Sequence, residues 1–319
     1  MGSSAPHHAR LAKAFFCSSL LFAGCVVGGI FFQPISIFSN FVCYFLALSL
    51  LTYLLTFTKS FASQFWTPSR LRKVALFAIV SQALIPLAQY IPANSADLES
   101  QQHFSITWMN LHFEQAAVNE LDELMKKSPS DIVVIAEATT HDLKDKFSNY
   151  PYTFSVPSAD LFLFSKFPFT NQVAANNGDD RAFLVSDIGI ARRRFRLITA
   201  HVAWPTSPAH YQSLKSLASL AQTFDNVLIA ADLNSSAWTS PFREMLDTAN
   251  LQHARQGYGL LNSWHIDSSK ILGLQLDHFL YKGDINNTAF EVIATKHSDH
   301  RAIRAEFDLG GKFLRKLSD

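Results

Sequence analysis

The later part of the chain contains polar residues at the ends of short apolar runs, where predicted strands begin or end. These residues are Asn110, Glu137, His201, Asp232, Asn234, Asp277, Asp299 and His300. Charged groups are rarely buried unless they are paired or bind a metal. Carboxylate and amide oxygens bind hard divalent cations, and imidazole or carboxylate groups can move a proton in hydrolysis. The ordered set therefore predicts one pocket for a divalent cation and a phosphate, which indicates a metal-dependent phosphoester hydrolase.

Turns, helix caps or a zinc site explain fewer of these residues than a single pocket for a divalent cation and a phosphate does. A turn or helix cap would explain any single one, but five strand ends carry such groups. A zinc site formed by His297, Asp299 and His300 would need ligands from one turn, which rarely supplies three good tetrahedral ligands. The sequence has no Gly-x-Ser-x-Gly elbow and no phosphate-cradling P-loop. Their absence argues against the commonest serine hydrolases and NTPases.

Short strands alternating with amphipathic helices must position these groups. The predicted strands span 104–109, 131–136, 152–156, 160–165, 182–190, 195–200, 226–231, 276–281, 288–293 and 301–307. The predicted helices span 114–127, 209–223 and 240–249. Many strands with few helices predict an α/β domain of two packed sheets with helices on their outer faces. Adjacent strand side chains point to opposite faces, so His278 is predicted to be structural although it neighbours Asp277.

The first ninety residues are far more apolar than the rest and contain all the cysteines. Three stretches, 14–32, 37–57 and 74–91, lack Asp, Glu, Lys and Arg. Each is close to the roughly 20 residues that cross a bilayer core. The first two are joined by the short segment 33–36, whose proline suits a tight turn. The sequence predicts three transmembrane helices and therefore a multi-pass membrane protein.

The distribution of basic residues predicts the orientation of these spans. Arg10 and Lys13 precede the first span, whereas its short loop to the second span carries no charge. The loop between the second and third spans contains Lys59, Arg70, Arg72 and Lys73. The positive-inside rule then places the N-terminus in the cytoplasm and everything after Pro92 outside it. A lipoprotein processing site at Cys25 is disfavoured because the apolar run continues past it.

The domain boundaries and the expected partners follow from these patterns. The transmembrane region covers 1–92, a linker 93–103, the catalytic domain 104–309 and a basic tail 310–319. The formal net charge of +1 argues against a protein that binds nucleic acid through a broad basic surface. We therefore expect a phosphoester substrate and the lipid bilayer as partners, and nucleic acid is not favoured. The sequence does not indicate an oligomeric state.

Residues 104–309 resemble the endonuclease/exonuclease/phosphatase (DNase I-like) superfamily, in the layout of its membrane-anchored bacterial members. The resemblance rests on an Asn after the first strand, a Glu after the second, a strand ending in His, an Asp-x-Asn pair, a late strand Asp and Ser-Asp-His. These motifs fall on Asn110, Glu137, His201, Asp232 with Asn234, Asp277, and Asp299 with His300. The resemblance implies a four-layer αββα sandwich, in which two packed mixed sheets are flanked by helices.

The resemblance also implies roles for these residues. Mg²⁺, with Mn²⁺ as an alternative, would be held by Asn110, Glu137 and Asp299. The resemblance gives the remaining residues catalytic roles: His201, Asn234, Asp232, Asp277 and His300. In that scheme His201 and Asn234 bind the phosphate and Asp277 orients His300. Either Asp232 or His300 is the general base.

Three features of the sequence depart from the family pattern. Ala231 stands where Gly usually precedes the Asp-x-Asn aspartate, and His297 replaces a common Gly. Ser263-Trp264-His265 replaces the Thr-Trp-Pro that membrane-bound relatives often carry. All charged and amide catalytic positions are present. The sequence therefore predicts a membrane-anchored Mg²⁺-dependent phosphoesterase acting on a phosphodiester or phosphomonoester, with a lipid-linked or small phosphoester favoured over DNA. The alternative is a non-catalytic membrane-tethered binding or scaffold module on the same fold.

Overall fold

The computed structural model describes residues 5–57, 68–92, 102–138, 143–176, 182–266 and 269–310. The chain divides into two compact units. One comprises Met1–Ile91 with Ala237–Ser240, and the other Pro92–Ser236 with Pro241–Asp319. The first unit is helical and the second carries the sheets, so the composition boundary near residue 92 coincides with a structural one.

The first unit contains apolar helices joined by short turns. They are α1 (Ala5–Gly28), α2 (Ile37–Asn40), α3 (Val42–Leu55) and α4 (Pro68–Leu87), with 3₁₀ turns at Gln33–Ile35 and Ala88–Tyr90. By length and composition, the stretch Ser69–Tyr90 is able to cross a membrane, whereas the apolar helices Ala14–Gly28 and Val42–Leu55 are shorter. The helices are also linked by polar contacts: Thr52 Oγ1 donates to Ser19 Oγ at 2.9 Å, and Gln82 Nε2 donates to Ser49 Oγ at 2.8 Å.

The predicted tight turn at 33–36 differs from the structure. The first helix ends at Gly28 and the third begins only at Val42, so a 3₁₀ turn and the short helix α2 occupy the connection. A Cβ at Gly29 would collide with Ser39, which explains why glycine lies at this close approach. The connection is therefore a small folded element rather than a simple reverse turn.

The second unit contains two six-stranded mixed sheets and a separate hairpin. Its strands are β1 (Gln102–Asn110), β2 (Ile132–Ala136), β3 (Tyr152–Val156), β4 (Leu161–Ser165), β5 (Phe169–Asn176), β6 (Ala182–Ile190), β7 (Arg193–His201), β8 (Val227–Asp232), β9 (Gln252–His253), β10 (Trp264–Ile266), β11 (Ser269–Leu274), β12 (Asp277–Lys282), β13 (Ile285–Ile293) and β14 (Ala302–Leu309). Its helices are α5 (Gln115–Lys127), α6 (Leu143–Lys146), α7 (Pro208–Gln222) and α8 (Ser240–Ala249). The first sheet has the order β13-β14-β1-β2-β4-β3 and the second β5-β6-β7-β8-β12-β9. The predicted α/β domain with two packed mixed sheets is confirmed.

The main core lies between the two sheets, and strand alternation determines which side chains enter it. Phe104, Ile106 and Trp108 of β1 pack in this core, whereas Met109 packs with α5 on the outer face. Asn110 has the same parity as the inward-facing residues of β1. Its side chain is therefore directed to the end of the inter-sheet core.

Several elements were not predicted. The strand β5 has no apolar run, because its sequence FTNQVAAN is mostly polar or small. The three-residue strand β10 and the two-residue strand β9 are too short for a periodic signal, and β11, with the sequence SKILGL, has no regular alternation of apolar and polar residues. Most of the predicted linker 93–103 and of the tail 310–319 lies outside the described residues.

Candidate active site

The strand register brings five of the predicted residues to one end of the two sheets. β1 and β2 are parallel, so Asn110 at the end of β1 lies beside the end of β2, which Glu137 follows directly. β7 and β8 are also parallel, and His201 pairs with Asp232. Asp277 pairs with Asp232 across the antiparallel β8–β12 ladder. Because each sheet contributes a parallel pair, polar residues from both meet above the shared core.

The Asp232 carboxylate is the centre of this cluster and is 1% exposed. Its Oδ2 lies 3.3 Å from Asn110 Nδ2, 3.6 Å from His300 Nε2 and 3.8 Å from His201 Nε2. Its Oδ1 accepts a hydrogen bond from the backbone N–H of Asn234 at 2.9 Å. One buried carboxylate is thus surrounded by nitrogen atoms from distant parts of the chain.

Glu137 forms the second acidic group of the cluster. Its Oε1 accepts from Asn110 Nδ2 at 3.1 Å and lies 3.2 Å from His201 Nε2. Glu137 has φ of 50° and Asn234 has φ of 47°. Left-handed backbone at non-glycine residues is uncommon and is often retained at functional sites. Both sharp turns direct polar side chains to the same end of the core.

A buried aspartate–histidine pair lies beside Asp232. Asp277 Oδ2 is 2.8 Å from His300 Nδ1, and its Oδ1 accepts from Trp108 Nε1 at 2.8 Å. The Asp277 backbone N–H donates to Ser263 Oγ at 2.9 Å, and Arg255 donates to the Asp277 carbonyl at 2.9 Å. These contacts fix the carboxylate, which in turn fixes the imidazole with its Nε2 toward Asp232.

The charges of these groups are mutually dependent. Burial and then the charge of Asp277 raise the pKa of Asp232 to about 7. Burial disfavours the imidazolium of His300, but the charges of Asp277 and Asp232 outweigh it and raise the pKa of His300 to about 10. Burial also opposes ionisation of Asp277, but the charge and hydrogen bond of His300 lower its pKa. Near neutral pH the arrangement therefore favours a protonated His300 beside an ionised Asp277.

Asp299 lies at the edge of the cluster. Its Oδ2 accepts from Trp264 Nε1 at 2.8 Å, and its Oδ1 is 3.7 Å from His112 Nδ1. The Oδ1 atom is buried and has no hydrogen-bond partner among the described residues. The neighbouring Ser298 donates to the Asn110 carbonyl at 2.8 Å, which ties this loop to the end of β1. Asp299 thus has an oxygen whose bonding capacity a cation would satisfy.

Two groups of residues are candidates for holding a metal. Ligand atoms of Asp232, Asp277 and His300 all lie within 4.8 Å of one another. However, both Asp277 oxygens already accept hydrogen bonds and the residue is 0% exposed. Mg²⁺ prefers oxygen ligands and keeps several waters. The less buried carboxylate of Glu137 and the Asp299 Oδ1 atom fit such a cation better than the enclosed Asp277–His300 pair.

The structure also accounts for two features of the sequence. Ala231 pairs with His278 and has the opposite strand parity to Asp232, so its methyl group points away from the site. His278 is buried on that outer face, where its ring contacts Phe242 of α8 and its Nε2 lies 2.8 Å from the Ser235 carbonyl. The predicted structural role of His278 is confirmed.

Asn234 is placed beside Asp232, but its amide has a structural partner. Its Nδ2 donates to the Val202 carbonyl at 2.9 Å. This bond holds the segment after His201 against the segment after Asp232.

Several residues that support the site were not predicted from the sequence. Trp108, Ser263, Arg255 and Ser298 orient Asp277 or the ends of its neighbouring strands. Trp108 had a usable signal, because its parity matches Asn110 and a buried indole N–H requires an acceptor. The others contact the site through backbone atoms, which leaves no recognisable side-chain spacing.

Comparisons with known proteins agree with this architecture. The profile of the Endonuclease/Exonuclease/phosphatase family matches residues 107–300, more than half of the chain. No curated protein matches the sequence.

Solved structures of this superfamily are similar in fold. Humanised TDP2 from D. rerio is 14% identical with a TM-score of 0.52, covering 65% of this chain and 99% of that one. An endonuclease/exonuclease/phosphatase from Bacteroides vulgatus is 12% identical with a TM-score of 0.55, covering 66% and 100%. The 3′ phosphatase NExo from Neisseria, bound to a product DNA hairpin, is 16% identical with a TM-score of 0.54, covering 64% and 99%. At these identities the similarity shows the fold alone.

Proposed function

Because the chain belongs to the Endonuclease/Exonuclease/phosphatase family, whose members are divalent-metal-dependent phosphoesterases, we propose that it is a membrane-anchored Mg²⁺-dependent phosphoesterase. It hydrolyses a phosphodiester or phosphomonoester by in-line attack of water. The observation that carries this proposal is the convergence of Asn110, His201 and His300 on the Asp232 carboxylate, within 3.8 Å.

The metal-binding residues are Asn110, Glu137 and Asp299. They carry hard oxygen atoms, of which Asn110 Oδ1 also accepts the His112 backbone N–H at 2.9 Å. The Asp299 Oδ1 atom, which accepts no hydrogen bond from the described residues, supports this assignment. When bound there, Mg²⁺, or Mn²⁺ in its place, supplies Lewis-acid polarisation of a phosphoryl oxygen. The Asn110 Nδ2 group meanwhile donates to Glu137 and Asp232, so it fixes the orientation of both carboxylates.

The proton of the attacking water is assigned to Asp232. Asp232, with its pKa raised to about 7 by burial and the charge of Asp277, accepts a proton from the attacking water. The water oxygen forms a bond to phosphorus while the bond to the leaving oxygen breaks. The leaving oxygen takes a proton from solvent, and His300, protonated and oriented by Asp277, donates a hydrogen bond to a phosphoryl oxygen. His201 and Asn234 donate hydrogen bonds to phosphoryl oxygens, which stabilises charge that develops in the transition state.

The favoured substrate is a lipid-linked or small phosphoester rather than DNA. The net charge of +1 supports this choice, because polynucleotide binding depends on neutralising many phosphates. The apolar helix Ser69–Tyr90 and the shorter helices Ala14–Gly28 and Val42–Leu55 support membrane anchoring. By the positive-inside rule the N-terminus is cytoplasmic and the catalytic domain lies on the other side of the membrane.

The activity is tested with the full chain in detergent micelles. Hydrolysis of bis-p-nitrophenyl phosphate, plasmid DNA and phospholipid is measured with Mg²⁺, Mn²⁺, Zn²⁺ or a chelator. We expect turnover with Mg²⁺ or Mn²⁺ that the chelator abolishes. Absence of chelator-sensitive turnover on every substrate would instead favour a non-catalytic membrane module, and restoration by Zn²⁺ alone would favour a zinc hydrolase.

The orientation is tested separately with an alkaline phosphatase reporter fused after residue 319. The reporter should be active only if the C-terminus lies outside the cytoplasm. If the phosphatase is replaced by a reporter that works only in the cytoplasm and this reporter gives a signal, the proposed orientation is wrong.

A further inference from the structure

An exposed tryptophan lies next to the catalytic cluster without a role in it. Trp204 is 54% exposed and follows His201 by three residues. The intervening Val202 is fixed at both its backbone groups: its N–H donates to the Asp232 carbonyl at 2.9 Å, and its carbonyl accepts from Asn234 Nδ2 at 2.9 Å. The indole is therefore presented from a rigid segment that is bonded to two catalytic positions.

A second tryptophan supports the first. The rings of Trp204 and Trp264 are 6.3 Å apart and meet edge to face at 84°. Trp264 donates from Nε1 to Asp299 Oδ2 at 2.8 Å and forms a β-bridge with His300. The exposed indole thus rests on a ring that is itself bonded to a candidate metal ligand. The two rings form an apolar wall beside the place where the phosphate would bind.

The chain around this wall contains few basic residues. Among the described residues, the segments that adjoin the site residues are 111–114, 202–207, 233–236, 260–266 and 294–301. Within them the basic residues other than histidine are Lys296 and Arg301. Arg301 donates to the Asn262 carbonyl at 3.2 Å. A groove that binds a polynucleotide combines aromatic side chains, which stack on the bases, with several basic side chains, which contact the phosphates. These segments contain the aromatic side chains but few basic ones.

We propose that Trp204 and Trp264 form the subsite for an apolar group esterified to the phosphate, and that Trp204 determines specificity for it. This inference rests on the proposed phosphoesterase function and narrows its substrate class. A small hydrophilic phosphoester would leave the exposed face of Trp204 in water, whereas an alkyl or aryl ester group would cover it. Covering apolar surface is favourable in proportion to the area removed from water.

The test uses two matched substrate series on the full chain in detergent micelles. The first comprises methyl, hexyl and benzyl p-nitrophenyl phosphate, which release the same chromophore. The second comprises methyl, hexyl and benzyl phosphate, followed by phosphate release. We expect kcat/KM to rise about tenfold from the methyl to the hexyl or benzyl ester, since contacts of one apolar group change specificity by about 10–200-fold. A preference for the hexyl esters would indicate that the subsite binds an alkyl chain, and a preference for the benzyl esters that it binds an aromatic ring.

The variant Trp204→Ala should remove this rise while turnover of the methyl esters stays within about twofold of wild type. Tyr152→Ala is the matched control, because Tyr152 is an exposed aromatic on β3 with 39% exposure. That variant should keep the full preference. Trp204→Phe should retain part of it, because an aromatic face remains.

Three outcomes would overturn the inference. They are an absence of preference in the wild type, an equal loss on all esters in Trp204→Ala, and strong inhibition by a 20-nucleotide DNA strand that survives this substitution. The last result would point to a polynucleotide groove. Each of these outcomes requires measurable turnover of the methyl esters, so they are distinct from failure of the proposed function, in which no ester is hydrolysed.

Discussion

Asp277 Oδ2 lies 2.8 Å from His300 Nδ1, and this contact joins the first residue of β12 to the loop before β14. The other Asp277 oxygen accepts from Trp108 of β1 at 2.8 Å. One carboxylate therefore connects the two sheets directly beneath the imidazole. The orientation of His300 depends on this single acceptor, and the first predictions test that dependence.

Asp277→Asn should reduce kcat by about 10²–10³-fold, the usual cost of losing a hydrogen-bond donor that stabilises the transition state. The amide keeps the size of the side chain but removes the charge that raises the pKa of His300. Steady-state kinetics gives the effect, and circular dichroism checks the fold. Asp225→Asn, at an exposed carboxylate, is the control. A kcat within about threefold of wild type would contradict the assignment.

Trp108→Phe should lower kcat about tenfold or more, because a hydrogen bond to a charged group contributes about 1.5–3 kcal/mol. The substitution keeps a buried ring between the sheets and removes only the donor to Asp277. Kinetics and a thermal melt distinguish the possible effects. An unchanged kcat with a lowered melting temperature would mean that Trp108 only packs the core.

Loss of a residue that hydrogen-bonds to a metal ligand usually weakens metal binding by about 10–100-fold. Glu137→Gln removes a ligand itself and should therefore weaken Mg²⁺ binding by more than that. The substitution removes the negative charge but retains an oxygen near Asn110 and His201. Isothermal titration calorimetry of the full chain in detergent measures the affinity directly. Glu123→Gln, whose side chain is 60% exposed on α5, is the control. Equal affinities in wild type and Glu137→Gln would move the metal to another group.

Trp264→Phe should weaken Mg²⁺ binding by about 10–100-fold, because Asp299 loses the indole donor that orients it. The ring remains, so the preference for apolar esters should persist. Calorimetry and the ester series together separate the two roles of this residue. Loss of the ester preference with unchanged metal affinity would reverse these roles.

Acid should destabilise the catalytic domain through His278. Burial and then the charge of Arg255 lower the pKa of His278 to about 3. The unfolded chain, with a His pKa near 6.5, binds the proton first, so stability is greatest above that pH and is lost as the pH falls toward 3. The slope should be about 1.4 kcal/mol per pH unit. Denaturant melts between pH 7 and 4 measure it.

The comparison for this prediction is between two histidines. His278→Gln should reduce the slope of the unfolding free energy against pH by nearly the amount that one proton contributes. His297→Gln, at an exposed position, should leave this slope unchanged. Parallel curves for wild type and His278→Gln would show that another group governs the acid transition.

Much of the second unit was predictable because its buried strands are continuous apolar runs. Strands β3 and β6 and helix α8 have the predicted bounds, and the polar residues after β1, β2, β7 and β8 meet as expected. Strand parity explains this success. Leu228 and Ala230 of β8 point into the core between the sheets. Asp232 is two residues beyond Ala230, so its side chain points to the same face and lies at the end of that core.

The support of the site was not predictable in the same way. The contacts made by Arg255 and Ser298 are to backbone carbonyls, and those made by Ser263 are to backbone N–H groups, so they depend on how loops approach one another. The edge-to-face pair of Trp204 and Trp264 likewise joins residues from separate segments. Such contacts depend on the tertiary fold and leave no periodic pattern in the sequence.

The pairing of β14 with β1 has a consequence for the newly synthesised polypeptide. Residues 102–110 leave the ribosome long before 302–309, yet these strands are neighbours in the finished sheet. Nearly the whole chain must therefore be synthesised before His300 can contact the part of the site that contains Asn110 and Glu137. During translation the edge of β1 that pairs with β14 stays unpaired, and the cluster around Asp232 cannot be completed until residue 300 has been synthesised.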